Sequence, residues 1–315
     1  MLNGIYAVQH QTSNLHMPAV SRFQIAKRDI VAHFDMLPAR VLRTADLAAV
    51  LDEQRDFWRL TKSTTLATFI SDLAHKSKLR QVSFGFSQGA ATGWTWGDLP
   101  LLEVLQDLVE HSHYSHYTAV RIHGLTEQLP KTVYLTQERP NSRTTAPPDK
   151  PYQQKAIDKA FEQPPRVSKN EIAKEQSRYV LLFGADHGDL GVTSTVVNWG
   201  GGRDLDLRTT TLERTLIDIA VRPFYAGGVA EVAKAYEMAK DKEVSVNRLA
   251  SMLTKMQFGY PYHQAIGYYL ERAGYRSAQL DLMRQFPRER DFYLTHQMTD
   301  KHYVKDWRLF VPKGF

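Results

Sequence analysis

Residues 63–96, STTLATFISDLAHKSKLRQVSFGFSQGAATGWTW, determine the fold expected for the N-terminal part of the chain. Apolar residues in the first half recur at the i, i+3, i+4, i+7 spacing of an amphipathic helix, which predicts a helix over 63–76. These residues are Leu66, Phe69, Ile70 and Leu73. The second half predicts a strand at 79–84, a glycine-bearing loop at 85–93 and a second strand at 94–96. A helix followed by a hairpin is therefore expected here.

Two further helices are expected before this stretch. Apolar residues at helical spacing predict a helix over 21–36, and Pro38 ends it. A second helix begins after Thr44, which we expect to cap it, and turns Leu47 and Leu51 inward. Three helices followed by a hairpin is the order of a winged helix-turn-helix. The predicted class is α+β, with this domain over 21–97.

The positive charge is concentrated beside the third predicted helix. The chain carries a net charge of +6, and between Arg59 and Arg80 five basic residues stand against one acidic residue. The major groove of DNA admits a helix, and lysine and arginine neutralise phosphates. The residues expected to contact DNA are Lys62, Ser63, Thr64, Thr65, Thr68, Lys76, Lys78 and Arg80. An ordinary solvated helix face, or a protein-binding winged helix, accounts for the same pattern.

The rest of the chain, 98–315, predicts a mixed α/β C-terminal domain. Its first part, 98–140, is expected to be a connecting helix-turn-strand unit in which Ser115 caps a short helix. An extended polar segment follows at 141–177. Further on, Thr210 and Glu213 have the spacing of a capping box at the start of a helix.

Catalytic and metal sites are not expected. The four histidines nearest one another lack both an HExxH pattern and cysteine partners. They are His111, His113, His116 and His123. Asp186 and Asp189 allow a magnesium-dependent nuclease as an alternative, although the tight turn at Gly188 explains the same residues. Glycines 200–202 lack the following lysine of a phosphate-binding loop. We therefore expect no catalytic residue, no metal and no cofactor.

Composition narrows the cellular context. The 315 residues include no cysteine, which rules out disulfides and fits a reducing compartment. No apolar run approaches the roughly 20 residues of a membrane span, and no secretory signal is evident at the N-terminus. The expected location is the cytoplasm, without a membrane partner.

Four strings in the chain resemble one known family. They are YSHYTAVRIHGLTEQLPKTVYL at 114–135, TTLERTLIDIAVRP at 210–223, YAGGV at 225–229 and YPYHQAIGYYLERAGY at 260–275. Together they resemble the AbiEi-family antitoxins of type IV toxin–antitoxin systems, which act in abortive infection and phage defence. The resemblance extends over about residues 27–276. It departs from the family in a longer N-terminal head and in the extended polar segment.

The resemblance implies a function. An N-terminal winged helix would bind inverted repeats in its own promoter as a transcriptional autorepressor, and the C-terminal domain would provide antitoxicity against a nucleotidyltransferase toxin. The polar residues that we would test for antitoxicity are Arg214, Arg222, Tyr262, His263 and Gln264. In such systems the toxin is countered without a stable complex. A DNA-directed nuclease and a module that blocks its toxin directly are the alternatives.

Overall fold

The computed structural model describes residues 20–139, 151–199 and 202–315. Helices and strands are both present throughout, so the fold is α+β. The helices are α1 Arg22–Met36, α2 Thr44–Gln54, α3 Leu66–Lys76, α4 Leu101–Leu108, α5 His116–Ile122, α6 Gln154–Glu162, α7 Leu212–Val221, α8 Val229–Lys240, α9 Val246–Met256, α10 Tyr262–Arg272 and α11 Ser277–Arg284. The strands are β1 Val41–Leu42, β2 Leu79–Phe86, β3 Gly89–Trp96, β4 Ser112–Tyr114, β5 Thr132–Arg139, β6 Glu171–Lys174, β7 Ser177–Ala185, β8 Val192–Asn198, β9 Asp204–Thr210, β10 Phe292–Tyr293, β11 Lys301–Val304 and β12 Leu309–Pro312.

Contacts divide the chain into two compact units. The first comprises Met1–Gln81 and Trp94–Asp98, and the second comprises Val82–Gly93 and Leu99–Phe315. The sequence places the whole β2–β3 hairpin in the N-terminal domain, 21–97. In the structure the distal half of the hairpin belongs instead to the second unit.

The first unit is built on aromatic side chains from α1, α3 and β3. Its sheet has the order β1-β3-β2, and β1 runs antiparallel to β3. Phe34, Phe69 and Trp96 are almost fully buried, and the rings of Phe34 and Trp96 stack at 4.8 Å. The indole N–H of Trp96 donates to Asp35 at 2.7 Å, which satisfies a donor that burial would otherwise leave unpaired.

Two predicted helix starts in this unit were wrong. Helix α3 begins at Leu66 rather than Ser63, because Thr65 is extended and its hydroxyl accepts the backbone N–H of Thr68 at 3.2 Å. Thr44 is the first residue of α2 and not its cap. The backbone N–H preceding it, that of Arg43, donates to the Asp46 carboxylate at 2.6 Å.

The second unit contains a six-stranded mixed sheet with the order β6-β7-β5-β4-β9-β8. Strands β5 and β7 are parallel, as are β4 and β9, and the other described pairs of this sheet are antiparallel. The polar segment predicted at 141–177 lies partly outside the described residues, and its described part includes α6 and β6. Because β5 and β7 are parallel and Arg139 pairs with Ala185, the carboxyl ends of these two strands lie side by side.

Helices α7–α11 form the apolar core of the second unit together with the small sheet β10-β12-β11. Close packing is most evident where α10 passes Trp307. A Cβ on Gly267 would collide with the indole ring, so only glycine fits at this position. No helix in the described part of the chain is long and apolar enough to cross a membrane.

Candidate functional site

Helix α3 presents a polar face to solvent. Phe69 and Leu73 are buried in the first unit, whereas Thr65, Thr68 and His75 are exposed. The hydroxyls of Thr65 and Thr68 lie 2.9 Å apart in a mutual hydrogen bond at the start of the helix. This face is accessible to a ligand, and the repressor hypothesis requires that accessibility.

The turn before α3 is ordered by hydroxyl groups and one arginine. The Thr61 hydroxyl bonds to those of Ser63 and Thr64 at 2.9 and 3.0 Å. Arg55 donates to the carbonyl oxygens of Thr61 and Thr64 at 2.9 and 3.0 Å. Lys62 is exposed in this turn. The predicted contacts at 62–64 therefore lie on a turn and not on the helix.

The predicted phosphate-binding cations differ in whether a carboxylate of the protein already pairs with them. Lys76 bonds to Asp72 at 2.6 Å on the same helix, and Lys78 bonds to Asp35 at 2.7 Å. The Lys78 ammonium and the Trp96 indole both donate to Asp35, and these bonds lower the pKa of that carboxyl. Within the described residues, neither Lys62 nor Arg80 has a carboxylate within 4.0 Å.

Arg80 and Lys62 are thus the cations most available to a ligand. Arg80 is exposed and donates to the backbone carbonyl oxygens of Ser77 and Leu79 at 3.2 and 3.1 Å. A phosphate would gain from these guanidinium and ammonium groups without first separating an ion pair.

The distal half of the hairpin is packed against protein. Phe84 and Phe86 are buried, and the Phe84 ring lies 5.9 Å from that of Tyr179 in β7. At the tip, the Ser87 hydroxyl and the Gln88 backbone N–H both donate to the Asn170 side chain at 3.1 Å. The predicted loop at 85–93 is instead strand on both sides of a short turn. Phe84 and Phe86 require burial, so this half of the hairpin is not a free wing.

In the second unit, Arg214 is the centre of a buried charge cluster. Its Nε donates to Asp218 at 2.9 Å, and its Nη1 donates to the carbonyl oxygen of Leu190 at 2.7 Å. The same Nη1 lies 3.5 Å from Oε1 of Glu138. The pair of Arg214 with Asp218 has the i, i+4 spacing of one helix face. It is buried, however, and burial makes each charge dependent on its partners.

Glu138 is a member of this cluster that the sequence did not indicate. Its Oε2 accepts the backbone N–H groups of His187 and Asp189 at 3.0 and 3.4 Å, which holds the β7–β8 loop against the end of β5. Glu138 lies near the end of β5, beyond the strand expected from the sequence and in no recognisable motif. A lone glutamate near a strand end is the only available signal, and such residues are usually solvent-exposed.

Two predicted caps in this unit were also wrong. Thr211 caps α7, while the Thr210 hydroxyl bonds to that of Thr215 at 2.7 Å, so Thr210 and Glu213 form no capping box. The Ser115 hydroxyl does not cap α5. It bonds instead to the Nδ1 of His116 at 2.8 Å and to the hydroxyl of Thr136 at 2.7 Å.

Arg222 and Tyr262 line a cavity of about 250 Å³ beside the Arg214 cluster. Arg222 is half-buried, and no carboxylate of the described residues pairs with it. Burial raises the pKa of the Tyr262 phenol, and the positive charge of Arg222 partly opposes that shift. Arg214 lines the same cavity, so three of the predicted residues meet at one site.

The other two antitoxicity candidates have structural contacts. The His263 ring stacks on Phe286 at 5.1 Å and hydrogen-bonds to the carbonyl oxygen of Pro287 at 3.0 Å. Gln264 is fully buried, and its amide N–H group donates to the carbonyl oxygens of Trp307 and Arg308 at 2.6 and 3.0 Å. Gln264 thus links α10 to the start of β12, and a partner protein cannot reach it directly.

The four neighbouring histidines of the sequence differ in burial: His113 and His116 are buried, His123 is half-buried and His111 is exposed. Burial lowers the pKa of His113 to about 3, and the nearby Arg214 acts in the same direction. Burial also lowers the pKa of His116, with a further contribution from Arg222. His123 hydrogen-bonds to the carbonyl oxygen of Thr210 at 2.6 Å. Among the described residues, no three His, Cys, Asp or Glu side chains group as metal ligands do.

The two aspartates of the nuclease alternative have local partners. Asp186 accepts the backbone N–H of Gly188 at 2.9 Å, and Asp189 pairs with Arg208 at 2.9 Å. Gly188 has a φ of +62°, as expected for the tight turn. These contacts match those of a loop, and no observed feature favours the nuclease over it.

Comparisons with known proteins bear on the fold. No family model matches the chain, and no curated protein matches it. Among solved structures, the RV2827C protein from Mycobacterium tuberculosis is similar, with a TM-score of 0.53 and 15% sequence identity over 91% of each chain. At this identity the similarity shows a shared fold and nothing about function.

Proposed function

We propose that the first unit binds duplex DNA through α3 and that the protein acts as a transcriptional autorepressor. The observation that carries this proposal is the exposed polar face of α3, beside Lys62 and Arg80, for which the described residues offer no carboxylate partner. The order α1-β1-α2-α3-β2-β3, with its β1-β3-β2 sheet, matches that of a winged helix-turn-helix and supports the proposal.

The threonines and the cations are expected to contact DNA in different ways. Thr65 and Thr68 stand at the start of α3, where the helix N-terminus also favours phosphate. Lys62 and Arg80 neutralise phosphates directly. Lys76 and Lys78 do so only after giving up Asp72 and Asp35, so we expect them to contribute less.

The proposal is tested by titrating promoter DNA of the protein's own gene with the purified full-length chain. We expect binding to weaken with salt, with a log–log slope of about −0.9 per phosphate contacted. The double variant Lys62→Ala/Arg80→Ala should weaken binding to all sequences and reduce that slope by about 2.

A matched control carries the same charge change on α1. Lys27 and Arg28 are exposed there, so Lys27→Ala/Arg28→Ala should leave the affinity close to wild type. Equal losses in the two double variants would show that net charge alone drives binding, and would contradict the α3 interface.

We further propose that the protein is a non-catalytic, cytoplasmic antitoxin of the AbiEi type, in which the second unit counters a nucleotidyltransferase toxin. The four family-like strings support this assignment, and all four lie within the second unit. Co-expression with the nucleotidyltransferase of a neighbouring gene should restore growth. Failure to restore growth would reject antitoxicity, and stable co-purification would favour direct blocking of the toxin.

A further inference from the structure

The cavity beside Arg214 is lined by side chains that can donate hydrogen bonds to a ligand. It lies within the second unit, and its walls include His116, His187, Arg222 and Tyr262. The Asp218 carboxylate, which lines the cavity, pairs with Arg214. No carboxylate of the described residues pairs with the Arg222 guanidinium in the same lining, so the cavity favours an anion.

His116 gives the second, independent indication. Its side chain is only 6% exposed, yet it lines the cavity. Its Nδ1 is bonded to the Ser115 hydroxyl at 2.8 Å, so Nε2 is the ring nitrogen left to hydrogen-bond to a ligand in the cavity.

The remaining wall is aromatic. Tyr260, Tyr262 and Phe258 belong to one short segment at the start of α10, with ring centroids of neighbouring pairs 5.2 and 5.8 Å apart. No side chain caps the N-terminus of α10, so its backbone N–H groups add to the positive potential there. Aromatic faces stack on planar rings, and tyrosine hydroxyls remain free to hydrogen-bond.

We propose that this cavity is a binding site for a small phosphate monoester carried on a planar ring, of the size of a nucleoside monophosphate. In this arrangement Arg222 and His116 hold the phosphate, and the tyrosines contact the ring. A volume of about 250 Å³ suits a small ligand, since drug-sized pockets begin near about 300 Å³. The site is independent of DNA binding by the first unit, so either proposal can fail alone.

Calorimetric titration of the full-length protein with the four nucleoside monophosphates tests the site. We expect at least one to bind, with the matching nucleoside and inorganic phosphate each weaker by about tenfold or more. Absence of binding by all four at millimolar concentration would overturn the proposal. Binding of inorganic phosphate as tight as that of the nucleotide would overturn its planar-ring part.

Two variants locate the ligand. Arg222→Gln should weaken nucleotide binding by about tenfold or more, whereas Arg276→Gln, the same change at an exposed arginine outside the cavity, should not. If Arg222→Gln does not fold, Arg222→Lys is the second variant. It keeps the positive charge but loses the planar guanidinium that can donate two hydrogen bonds to one phosphate, and it should still bind the nucleotide more weakly than wild type. Undiminished binding in a folded Arg222 variant would overturn the site.

Discussion

Helices α3 and α7 carry the same kind of ion pair in opposite surroundings. In α3, Lys76 bonds to Asp72 one turn earlier, and both side chains retain access to water. In α7, Arg214 bonds to Asp218 at the same i, i+4 spacing, and both are buried. The spacing is identical, but the burial of the two pairs differs.

This difference separates a surface that can exchange partners from a network that cannot. An exposed pair contributes little to stability, because water solvates either ion when the other leaves. A buried pair leaves an uncompensated charge when one partner is removed. We therefore assign ligand contact to the α3 face and, for Arg214, a structural role beside the cavity.

The largest expected effect is on Arg214. Replacing it with methionine, Arg214→Met, removes the partner of Asp218 and Glu138 and should lower the free energy of unfolding by about 3–5 kcal/mol. Urea denaturation measures this loss. The matched change Lys76→Met on α3 should cost only about 0.3–0.5 kcal/mol. Equal costs at the two positions would contradict the distinction drawn between the helices.

The second effect depends on pH. His113 is fully buried, and its pKa is lowered to about 3, so it is neutral in the folded protein at pH values where the unfolded chain is protonated. The contribution of His113 to the free energy of unfolding is complete above the pKa of about 6.5 that it has in the unfolded chain. This contribution falls by about 1.4 kcal/mol per pH unit as the pH drops from there towards about 3.

The variant His113→Phe isolates this contribution. Its free energy of unfolding should fall less steeply than that of wild type between about pH 6 and about pH 4, the range in which a histidine of the unfolded chain becomes protonated. A slope equal to that of wild type would show that other groups account for the acid sensitivity.

A smaller effect is expected at the start of α3. Thr65→Ala removes the hydroxyl that accepts the Thr68 N–H, and should lower the free energy of unfolding by about 1 kcal/mol. Thr68→Ala keeps the cap and should cost less. If Thr68 contacts a base, Thr68→Ala should instead weaken operator binding by about 1–3 kcal/mol. Parallel denaturation and DNA titrations distinguish the two threonines.

Local patterns in the sequence predicted α3 and much of the hairpin correctly. The apolar stripe of Phe69 and Leu73 repeats within a few residues, so helical geometry alone directs it to one side. Cap residues were harder to predict, because Thr65, Ser63 and Thr44 are all acceptable caps by type. Which of them adopts an extended backbone depends on the turn packed before it.

The sequence by itself determined which segments are amphipathic, where the positive charge lies and that an arginine and an aspartate share a face of α7. The tertiary structure determined their environment. It buried Arg214 against Glu138 and Leu190, and it packed Phe84 of the hairpin against Tyr179 of β7. It also placed Arg222 in a cavity, where no carboxylate of the described residues pairs with it. The reason is the distance along the chain between the residues that interact. Hydrophobic periodicity acts between neighbours along the chain, whereas burial and pairing depend on segments that meet only after folding.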